Sequence, residues 1–466
     1  EAVLRNADVA MYEAKAKGKS RFVRFEREME AQVLDRLELK DDLRRAIDRD
    51  GELELDYQPL VDLADLRTTG VEALVRWRHP TRGRMPPGEF IALAEETGLI
   101  HPLGLWVLDA ATGEGDPVTP AGFHVSSFSW APSGEAIAII AADASGSNET
   151  YFNSRLEVVE LSDLSVRLVS EDARRRPSWS PDGRRIAFTY RQRVEGMTLP
   201  AAVIGVIGAD GAGLELLGDR HGGTLVNPVW MPGGERLLVL DAHGVRAELS
   251  TVSTGDSKVE RIEQLDIPYY FRDTFDVSRD GTRIVFLKGS AESPPEVWVR
   301  EEGLFSRSHR LTRVHAWLED REMPEAKVVR WKSRDGTEIE GVLWLPRDFR
   351  KDGSFPAVVN VHGGPMWAWW YGWHGNWHDW AIPLASRGFV VLLPNPRGSI
   401  GYGAGFARAN FDDFGGGDYE DVVAGADFLV SEGYASRDRL GIGGWSYGGY
   451  MTSWAVTQTA RFKAAV

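Results

Sequence analysis

The period of the hydrophobic positions changes along the chain and predicts segments of different architecture. Residues 7–25 carry an apolar stripe of helical period that ends at Gly18 and is followed by a short strand-like run. Residues 26–50 form a charged helical pattern with Leu43 on its apolar face, and Gly51 ends it. The chain therefore opens with helices and short strands.

Four similar phrases later in the chain predict a repeated β-sheet unit. Each phrase runs from a strand through a glycine-containing turn into an alternating strand. The phrases are SFSWAPSGEAIAII, PSWSPDGRRIAFTY, PVWMPGGERLLVL and DVSRDGTRIVFL. Trp130, Trp179 and Trp230 lie 49 and 51 residues apart, which is the period of a four-stranded propeller blade. We expect these tryptophans to pack in the cores of the blades.

From Val328 onwards the pattern predicts an α/β sheet. A hairpin is expected first, and the apolar runs at 356–361 and 388–395 are typical of buried strands in a largely parallel sheet. Residues 418–432 predict a crossover helix with one apolar face. The strand-like residues RLGIGG follow this helix.

A Gly-x-Ser-x-Gly motif lies between this strand and the last predicted helix. It consists of Gly444, Ser446 and Gly448. In a nucleophile elbow the glycines permit a strained strand-to-helix turn that projects the serine hydroxyl above the sheet. A helix start that Ser446 merely caps is the alternative. The strand before the motif, the helix after it and a backbone-donor motif upstream favour a nucleophile.

Composition excludes several classes of function. The 54 Lys and Arg against 69 Asp and Glu give a net charge of −15, which opposes binding to nucleic acid or anionic lipid. The absence of Cys excludes disulfides, thiolate metal sites and a cysteine nucleophile. No signal peptide and no apolar run of about 18 residues occur. We expect a globular, cytoplasmic protein without nucleic-acid or membrane partners.

Residues 53–111, which contain DYQPLVDL and EALVRWRHP, resemble the opening of an EAL-type cyclic di-GMP phosphodiesterase. Residues 7–25 resemble the end of a GGDEF diguanylate cyclase domain. In the EAL family the glutamate that matches Glu72 ligates a divalent metal, and the positions that match Gln58 and Arg76 contact the dinucleotide. The resemblance implies Mg²⁺ or Mn²⁺ as the cofactor of this segment. One carboxylate is not a metal site, so a solvated, non-catalytic Glu72 is favoured.

Most of the chain carries motifs of one further family: HGGP at 362–365, NPRGSIGYG, the Gly-x-Ser-x-Gly motif and the four repeats. Residues 120–466 resemble a prolyl oligopeptidase family serine peptidase of the acylaminoacyl peptidase or dipeptidyl aminopeptidase type, with a TolB-like propeller before an α/β-hydrolase domain. The resemblance implies Ser446 as the nucleophile and the amides of Gly364 and Tyr447 as oxyanion-hole donors. It implies no cofactor, and a short peptide or acyl-peptide as substrate.

The general base of the catalytic triad is expected outside this chain. In this fold the triad follows the order Ser, acid, His, and only 20 residues follow Ser446. His362 precedes the nucleophile and is expected to be structural. Loss of a triad member costs on the order of 10⁴ to 10⁶ in rate, so we expect the 466-residue chain to be nearly inactive.

Two further motifs have both a binding and a packing interpretation. The glycines of NPRGSIGYG could form a phosphate cradle, but no Walker Lys-Ser/Thr follows them. His374 and His378 are four residues apart, as in an HExxH metal motif, but Gly375 replaces the glutamate. Packing is favoured for both motifs.

The predicted fold class is multidomain: a partial α+β EAL piece, an incomplete β-propeller of about four blades, and a truncated α/β-hydrolase with a mostly parallel sheet. The EAL piece stands where the first blades are expected. The predicted domains are a GGDEF-like remnant at 1–27, the N-terminal part of an EAL-like domain at 28–112, a junction at 113–121, propeller blades at 122–325 and the peptidase domain at 326–466.

The EAL-like domain and the peptidase domain are unrelated, and both are interrupted. We therefore predict that the sequence was assembled from two genes. The leading functional hypothesis is a serine peptidase. A cyclic di-GMP phosphodiesterase or signalling protein is the alternative, and a binding platform with a degenerate hydrolase is a third.

Overall fold

The computed structural model describes about four fifths of the chain, which divides into two compact units. One unit comprises residues 1–125 and 142–150, the other residues 126–141 and 151–466. The predicted GGDEF-like remnant lies outside the described residues. The described residues are 38–46, 52–61, 68–86, 88–90, 93, 106–108, 115–119, 124–143, 152–194, 197–268, 274–303, 306–375 and 379–466.

The first unit contains a three-stranded sheet and a helical segment at 38–46. Leu43, Trp77 and Phe90 share one buried core, which confirms the predicted apolar face of the helix at Leu43. The strands of the sheet are β1 (Leu53–Val61), β2 (Thr68–His79) and β3 (Gly83–Met85), and a separate pair comprises β4 (Trp106–Leu108) and β5 (Gly115–Pro117).

Four consecutive four-stranded sheets, one for each predicted repeat, occur in the described residues between 124 and 310. In every sheet the strands pair in chain order. Sheet one is β6 (His124–Trp130), β7 (Ala136–Ala142), β8 (Arg155–Glu160) and β9 (Val166–Ser170); sheet two is β10 (Ala173–Trp179), β11 (Arg185–Val194), β12 (Met197–Gly208) and β13 (Glu215–Leu217). Sheet three is β14 (Thr224–Trp230), β15 (Arg236–His243), β16 (Arg246–Ser253) and β17 (Val259–Gln264); sheet four is β18 (Phe275–Val277), β19 (Arg283–Lys288), β20 (Glu296–Glu301) and β21 (Arg307–Arg310).

The repeat tryptophans link neighbouring sheets through their indole N–H groups. Trp179 Nε1 donates to the Ser129 carbonyl at 3.1 Å, and Trp230 Nε1 donates to the Ser178 carbonyl at 3.0 Å. Each acceptor directly precedes the tryptophan of the previous repeat. Trp230 is buried, whereas Trp130 is 46% exposed. The predicted core packing is therefore wrong for Trp130, whose sheet is the first of the four that the structure describes.

A six-stranded sheet follows, with the order β22-β23-β25-β24-β26-β27. The predicted hairpin is present, and the last four strands of this order are parallel. Residues Val422, Ala426 and Leu429 of the predicted crossover helix are fully buried in the core beneath the sheet. The strands are β22 (Glu325–Lys332), β23 (Glu338–Leu345), β24 (Ala357–Val361), β25 (Val390–Asn395), β26 (Leu440–Gly444) and β27 (Phe462–Ala465).

Four α-helices accompany this sheet among the described residues: α1 (Ala381–Ala385), α2 (Gly403–Ala407), α3 (Gly417–Ser431) and α4 (Tyr447–Gln458). A 3₁₀ turn at Ala316–Leu318 precedes it. Among the described helices, none has the length and apolar composition needed to cross a membrane.

Sheet three and the six-stranded sheet are joined through the buried carboxylate of Glu340. One of its oxygens accepts hydrogen bonds from the Val245 amide at 2.9 Å and the Tyr402 hydroxyl at 3.0 Å. The other accepts from the Arg330 guanidinium at 2.7 Å. Two of the six strands, β22 and β23, thus share one satisfied charge cluster with sheet three, which fixes their relative position.

Candidate active site

Ser446 lies at the turn between β26 and α4 in a backbone conformation that L-residues rarely adopt. Its φ is 56° and its ψ is −117°, and its side chain is exposed. A Cβ added at Gly444 or Gly448 would lie 2.3 or 2.1 Å from the Val361 carbonyl oxygen. Only glycine therefore lets the turn and α4 approach β24 so closely. The backbone has the strained turn that the motif predicts, while the catalytic role of Ser446 stays a prediction.

The loop after β24 lies against this turn. A Cβ added at Gly363 would lie 3.2 Å from the Trp445 carbonyl oxygen and 3.4 Å from the Ser446 Cβ. Within the described part of the chain, the amides of Gly364 and Tyr447 have no hydrogen-bond acceptor. Both amides are therefore available to a further acceptor, and their role as oxyanion donors stays a prediction.

His362 holds the loop and does not face the serine. Its Nδ1 lies 2.7 Å from the Gly363 carbonyl oxygen, and its Nε2 lies 2.9 Å from the Ser399 Oγ. A carbonyl can only accept, so Nδ1 carries the proton in this contact. Burial lowers the pKa of His362 to about 4, which keeps the ring neutral. This geometry fits the structural role expected for His362.

The side chain of Tyr447 anchors the first turn of α4. Its hydroxyl donates to the Asp418 carboxylate. Asp418 also accepts hydrogen bonds from the amides of Gly415 and Tyr419, at 2.9 and 2.8 Å. Burial raises the pKa of Asp418 and that of Tyr447. Sequence analysis missed Asp418, whose position in the acidic first turn of a predicted helix gave no sign of a buried partner.

Arg397 fixes the NPRGSIGYG loop against α3 and the hairpin. Its guanidinium contacts both oxygens of buried Asp421, with Nε at 2.9 Å and Nη2 at 2.7 Å. Nη1 contacts Asp335 at 2.8 Å, and this bond lowers the pKa of Asp335. The paired geometry is that of a strong bidentate ion pair. Protein side chains thus order this glycine-rich loop, in line with the packing interpretation.

The described residues place no general base beside Ser446. Among the described residues, no histidine or carboxylate forms a hydrogen bond with the Ser446 hydroxyl. The residues that follow Ser446 in the sequence include no Asp, Glu or His. Among the described residues, Ser446 is therefore exposed, the amides of Gly364 and Tyr447 have no acceptor, and the Ser446 hydroxyl has no histidine or carboxylate partner.

The sequence-predicted EAL residues lie on the hairpin of the first unit. Gln58 of β1 and Glu72 of β2 are directly opposite in the antiparallel register, but their side chains lie outside what the structure describes. Arg76 Nε contacts Asp56 Oδ2 at 2.9 Å, so this guanidinium is already paired. The binding of Mg²⁺ or Mn²⁺ by Glu72 stays a prediction.

The second motif considered for metal binding is the pair His374 and His378, and its described histidine packs among aromatic side chains. His374 is fully buried, its Nε2 is 2.8 Å from the Trp370 carbonyl oxygen, and its ring stacks on Trp370 at 4.3 Å. His378 lies outside the described residues. The contacts of His374 agree with the packing interpretation.

Two family models match separate parts of the chain. Residues 376–466 match the prolyl oligopeptidase family, and residues 40–139 match the EAL domain. This chain joins an EAL segment to a prolyl oligopeptidase family segment. Below, residues 376–466 are the peptidase segment and residues 40–139 the EAL segment.

Relatives of both segments are known. An uncharacterized peptidase of Bacillus subtilis, YuxL, is 32% identical over 262 residues, which are 54% of this chain and 37% of YuxL. The bifunctional diguanylate cyclase/cyclic di-GMP phosphodiesterase MucR of Pseudomonas aeruginosa is 49% identical over 106 residues, which are 23% of this chain and 15% of MucR. The chain therefore spans less than half the length of each of these relatives.

A solved structure supports the fold. The Pyrococcus horikoshii acylaminoacyl peptidase superimposes with a TM-score of 0.54 and 19% identity, covering 89% of this chain and 75% of that protein. At this identity the likeness concerns the arrangement of the chain and not its chemistry.

Proposed function

We propose that the peptidase segment is part of a serine peptidase that hydrolyses peptide or acyl-peptide bonds through an acyl-enzyme on Ser446. The observation that carries this proposal is the exposed Ser446 on a strained turn, beside the acceptor-free amides of Gly364 and Tyr447. The family match and the peptidase from Bacillus subtilis support the same class. The chemistry requires no cofactor.

The proposed reaction begins when Ser446 Oγ attacks the carbonyl carbon of the scissile bond. The carbonyl oxygen becomes an oxyanion and accepts hydrogen bonds from the amides of Gly364 and Tyr447. A single donor of this kind contributes on the order of 10²- to 10³-fold in rate. His362 supports the step indirectly, because its bond to the Gly363 carbonyl holds the donor loop.

The proton of the Ser446 hydroxyl needs an acceptor that neither the described residues nor the sequence after Ser446 supplies. His362 does not serve, because both of its ring nitrogens are engaged elsewhere. We therefore expect turnover by the 466-residue chain to be slower by about 10⁴-fold or more than that of a complete triad.

The four sheets before the six-stranded sheet are proposed to be propeller blades that limit the substrate to short chains. Their pairing in chain order, the tryptophan links between them and the Glu340 junction support this interpretation. A closed ring of blades admits only peptides that fit its channel.

A single thiol introduced at position 446 tests the proposed site in a way that does not depend on a general base. The chain has no Cys, so Ser446→Cys carries one thiol. We expect its pKa, measured from the pH dependence of alkylation by iodoacetamide, to lie at least one unit below the ordinary value of about 8.5, because a helix N-terminus and nearby amides stabilise a thiolate. Ser453→Cys, exposed on the same helix, is the matched control and should remain near that value.

Equal thiol pKa values at the two positions would contradict the proposed site. A fluorophosphonate probe supplies a second readout on the natural serine. We expect slow modification that Ser446→Ala removes and Ser453→Ala leaves in place, measured by intact mass. An adduct that persists in Ser446→Ala would argue against the assignment.

The alternative function is cyclic di-GMP phosphodiesterase or signalling activity of the EAL segment, favoured by its family match and by MucR. In this case Glu72 would ligate Mg²⁺ or Mn²⁺, and Gln58 and Arg76 would contact the dinucleotide. We expect no turnover of cyclic di-GMP above background, because one carboxylate does not form a metal clamp. Manganese-dependent turnover that is lost in Glu72→Gln would reverse this ranking.

A further inference from the structure

Two histidines and a buried aspartate converge at the end of sheet three. Asp241 and His243 are two residues apart on β15, so their side chains point to the same face of the strand. His221 reaches them from the loop before β14. One ligand atom of each of the three residues lies within 4.8 Å of the others. The cluster is far in sequence from Ser446 and takes no part in the proposed peptidase mechanism.

Glycines allow the loop to approach the aspartate. Gly222 has φ +81°, and a Cβ added at Gly223 would lie 2.6 Å from Asp241 Oδ1. This close approach brings His221 Nε2 to 2.6 Å from Asp241 Oδ2. The His221 and His243 rings lie 5.3 Å apart. The loop is therefore shaped to bring a second imidazole to a carboxylate of the strand.

The charge of Asp241 is only partly compensated. The residue is 1% exposed, and its Oδ1 accepts no hydrogen bond from any residue that the structure describes. A buried carboxylate oxygen without a partner is costly. Glu248, opposite Asp241 in the register of β15 and β16, is itself paired with Arg261 at 3.1 Å. A cation beside Asp241 would remove this cost.

We propose that His221, Asp241 and His243 bind a divalent transition metal of the zinc class. Two imidazoles and one carboxylate, with a fourth position open to water, form a common zinc donor set. Mg²⁺ and Ca²⁺ prefer oxygen ligands throughout and fit this set poorly. Around tetrahedral zinc, ligand atoms lie roughly 3.4 Å apart. His221 and Asp241 need to separate by less than about 1 Å, and exposed His243 needs to turn inward.

The site would stabilise the junction between sheet three and the six-stranded sheet. His243 is followed by Gly244, whose amide donates to the Gly401 carbonyl at 2.7 Å. His243 also lines a cleft of about 670 Å³ beside this junction, which provides an entry path for the ion. Because the metal would bind the folded state and not the unfolded state, it would raise the melting temperature.

The experiment uses the full chain without a histidine tag, stripped of metal with a chelator, at about pH 8, where ordinary histidines are neutral. Co²⁺ is titrated and followed by its visible absorption, and Zn²⁺ is then added in competition. We expect one equivalent to bind with the intense bands of a tetrahedral site, a rise in melting temperature, and no response to Mg²⁺ or Ca²⁺.

Variants separate this site from adventitious binding. His243→Ala alters an exposed side chain and Asp241→Asn keeps the shape of the buried one, and each should weaken Co²⁺ binding by at least about 10-fold. His315→Ala, which removes a histidine that follows sheet four and contacts Glu296 of β20, should retain full affinity. Octahedral Co²⁺ spectra, or equal affinity in His243→Ala and the unaltered chain, would overturn the proposal.

Discussion

Gly448→Ala should lower the free energy of unfolding of the region around the six-stranded sheet by about 3 kcal/mol or more. The added Cβ would lie 2.1 Å from the Val361 carbonyl oxygen and 2.9 Å from its carbonyl carbon. Both atoms belong to the backbone of β24, which pairs with β25 on one side and β26 on the other. They cannot move aside as a flexible side chain would, so α4 must shift. Urea unfolding followed by tryptophan fluorescence measures the loss.

The neighbouring glycine provides a matched control. A Cβ added at Gly449 would meet only the Gly444 carbonyl oxygen, at an ordinary 3.4 Å. Alanine is favoured over glycine inside a helix by about 1 kcal/mol, so Gly449→Ala should be neutral or slightly stabilising. Equal stability of the two variants would show that α4 does not approach β24 as closely as described.

Acid should destabilise the chain through His362 by roughly 3 kcal/mol between neutral pH and about pH 4. Burial lowers the pKa of this imidazole from 6.5 to about 4 in the folded protein. The unfolded chain therefore binds a proton over this range while the folded chain does not. The stability is fully present above about pH 6.5 and is lost as the pH falls through the interval. The measurement is the unfolding free energy from urea denaturation at several pH values. Between about pH 6.5 and pH 4 it should fall more steeply with acid than it would if only the other titrating groups contributed.

His362→Gln should remove this part of the pH dependence, whatever its effect at neutral pH. Ser399→Ala is the control, because it removes the hydroxyl next to Nε2 but leaves the buried ring in place. It should keep the steep slope. A His362→Gln chain whose stability falls with acid as steeply as that of the unaltered chain would contradict the burial of a neutral imidazole.

Much of the fold could be predicted from local patterns. The alternating strands and glycine turns of the four phrases correspond to four four-stranded sheets, and the apolar run at 388–395 contains β25. The helix predicted from its apolar face at 418–432 is α3, Gly417–Ser431. These features depend on side chains that are near in sequence, where the period of the pattern directly sets which face is buried.

The surroundings of the candidate site were harder to predict. The elbow motif indicated the turn at Ser446, but not that the Tyr447 hydroxyl would be held by Asp418, 29 residues earlier. The wrong expectation for Trp130 has a similar origin. Its repeat resembles the others in sequence, yet its burial depends on a neighbouring sheet and not on its own strand.

The sequence by itself determined the order of the segments, the strand and helix types, and the position of Ser446 between a strand and a helix, because each is encoded within a few consecutive residues. Only the tertiary structure decided which distant groups meet. His362 and Ser399 are 37 residues apart, and His221 and Asp241 are 20 apart. Hydrogen bonds and buried charges between such residues arise when sheets and loops pack together, and no local period records them.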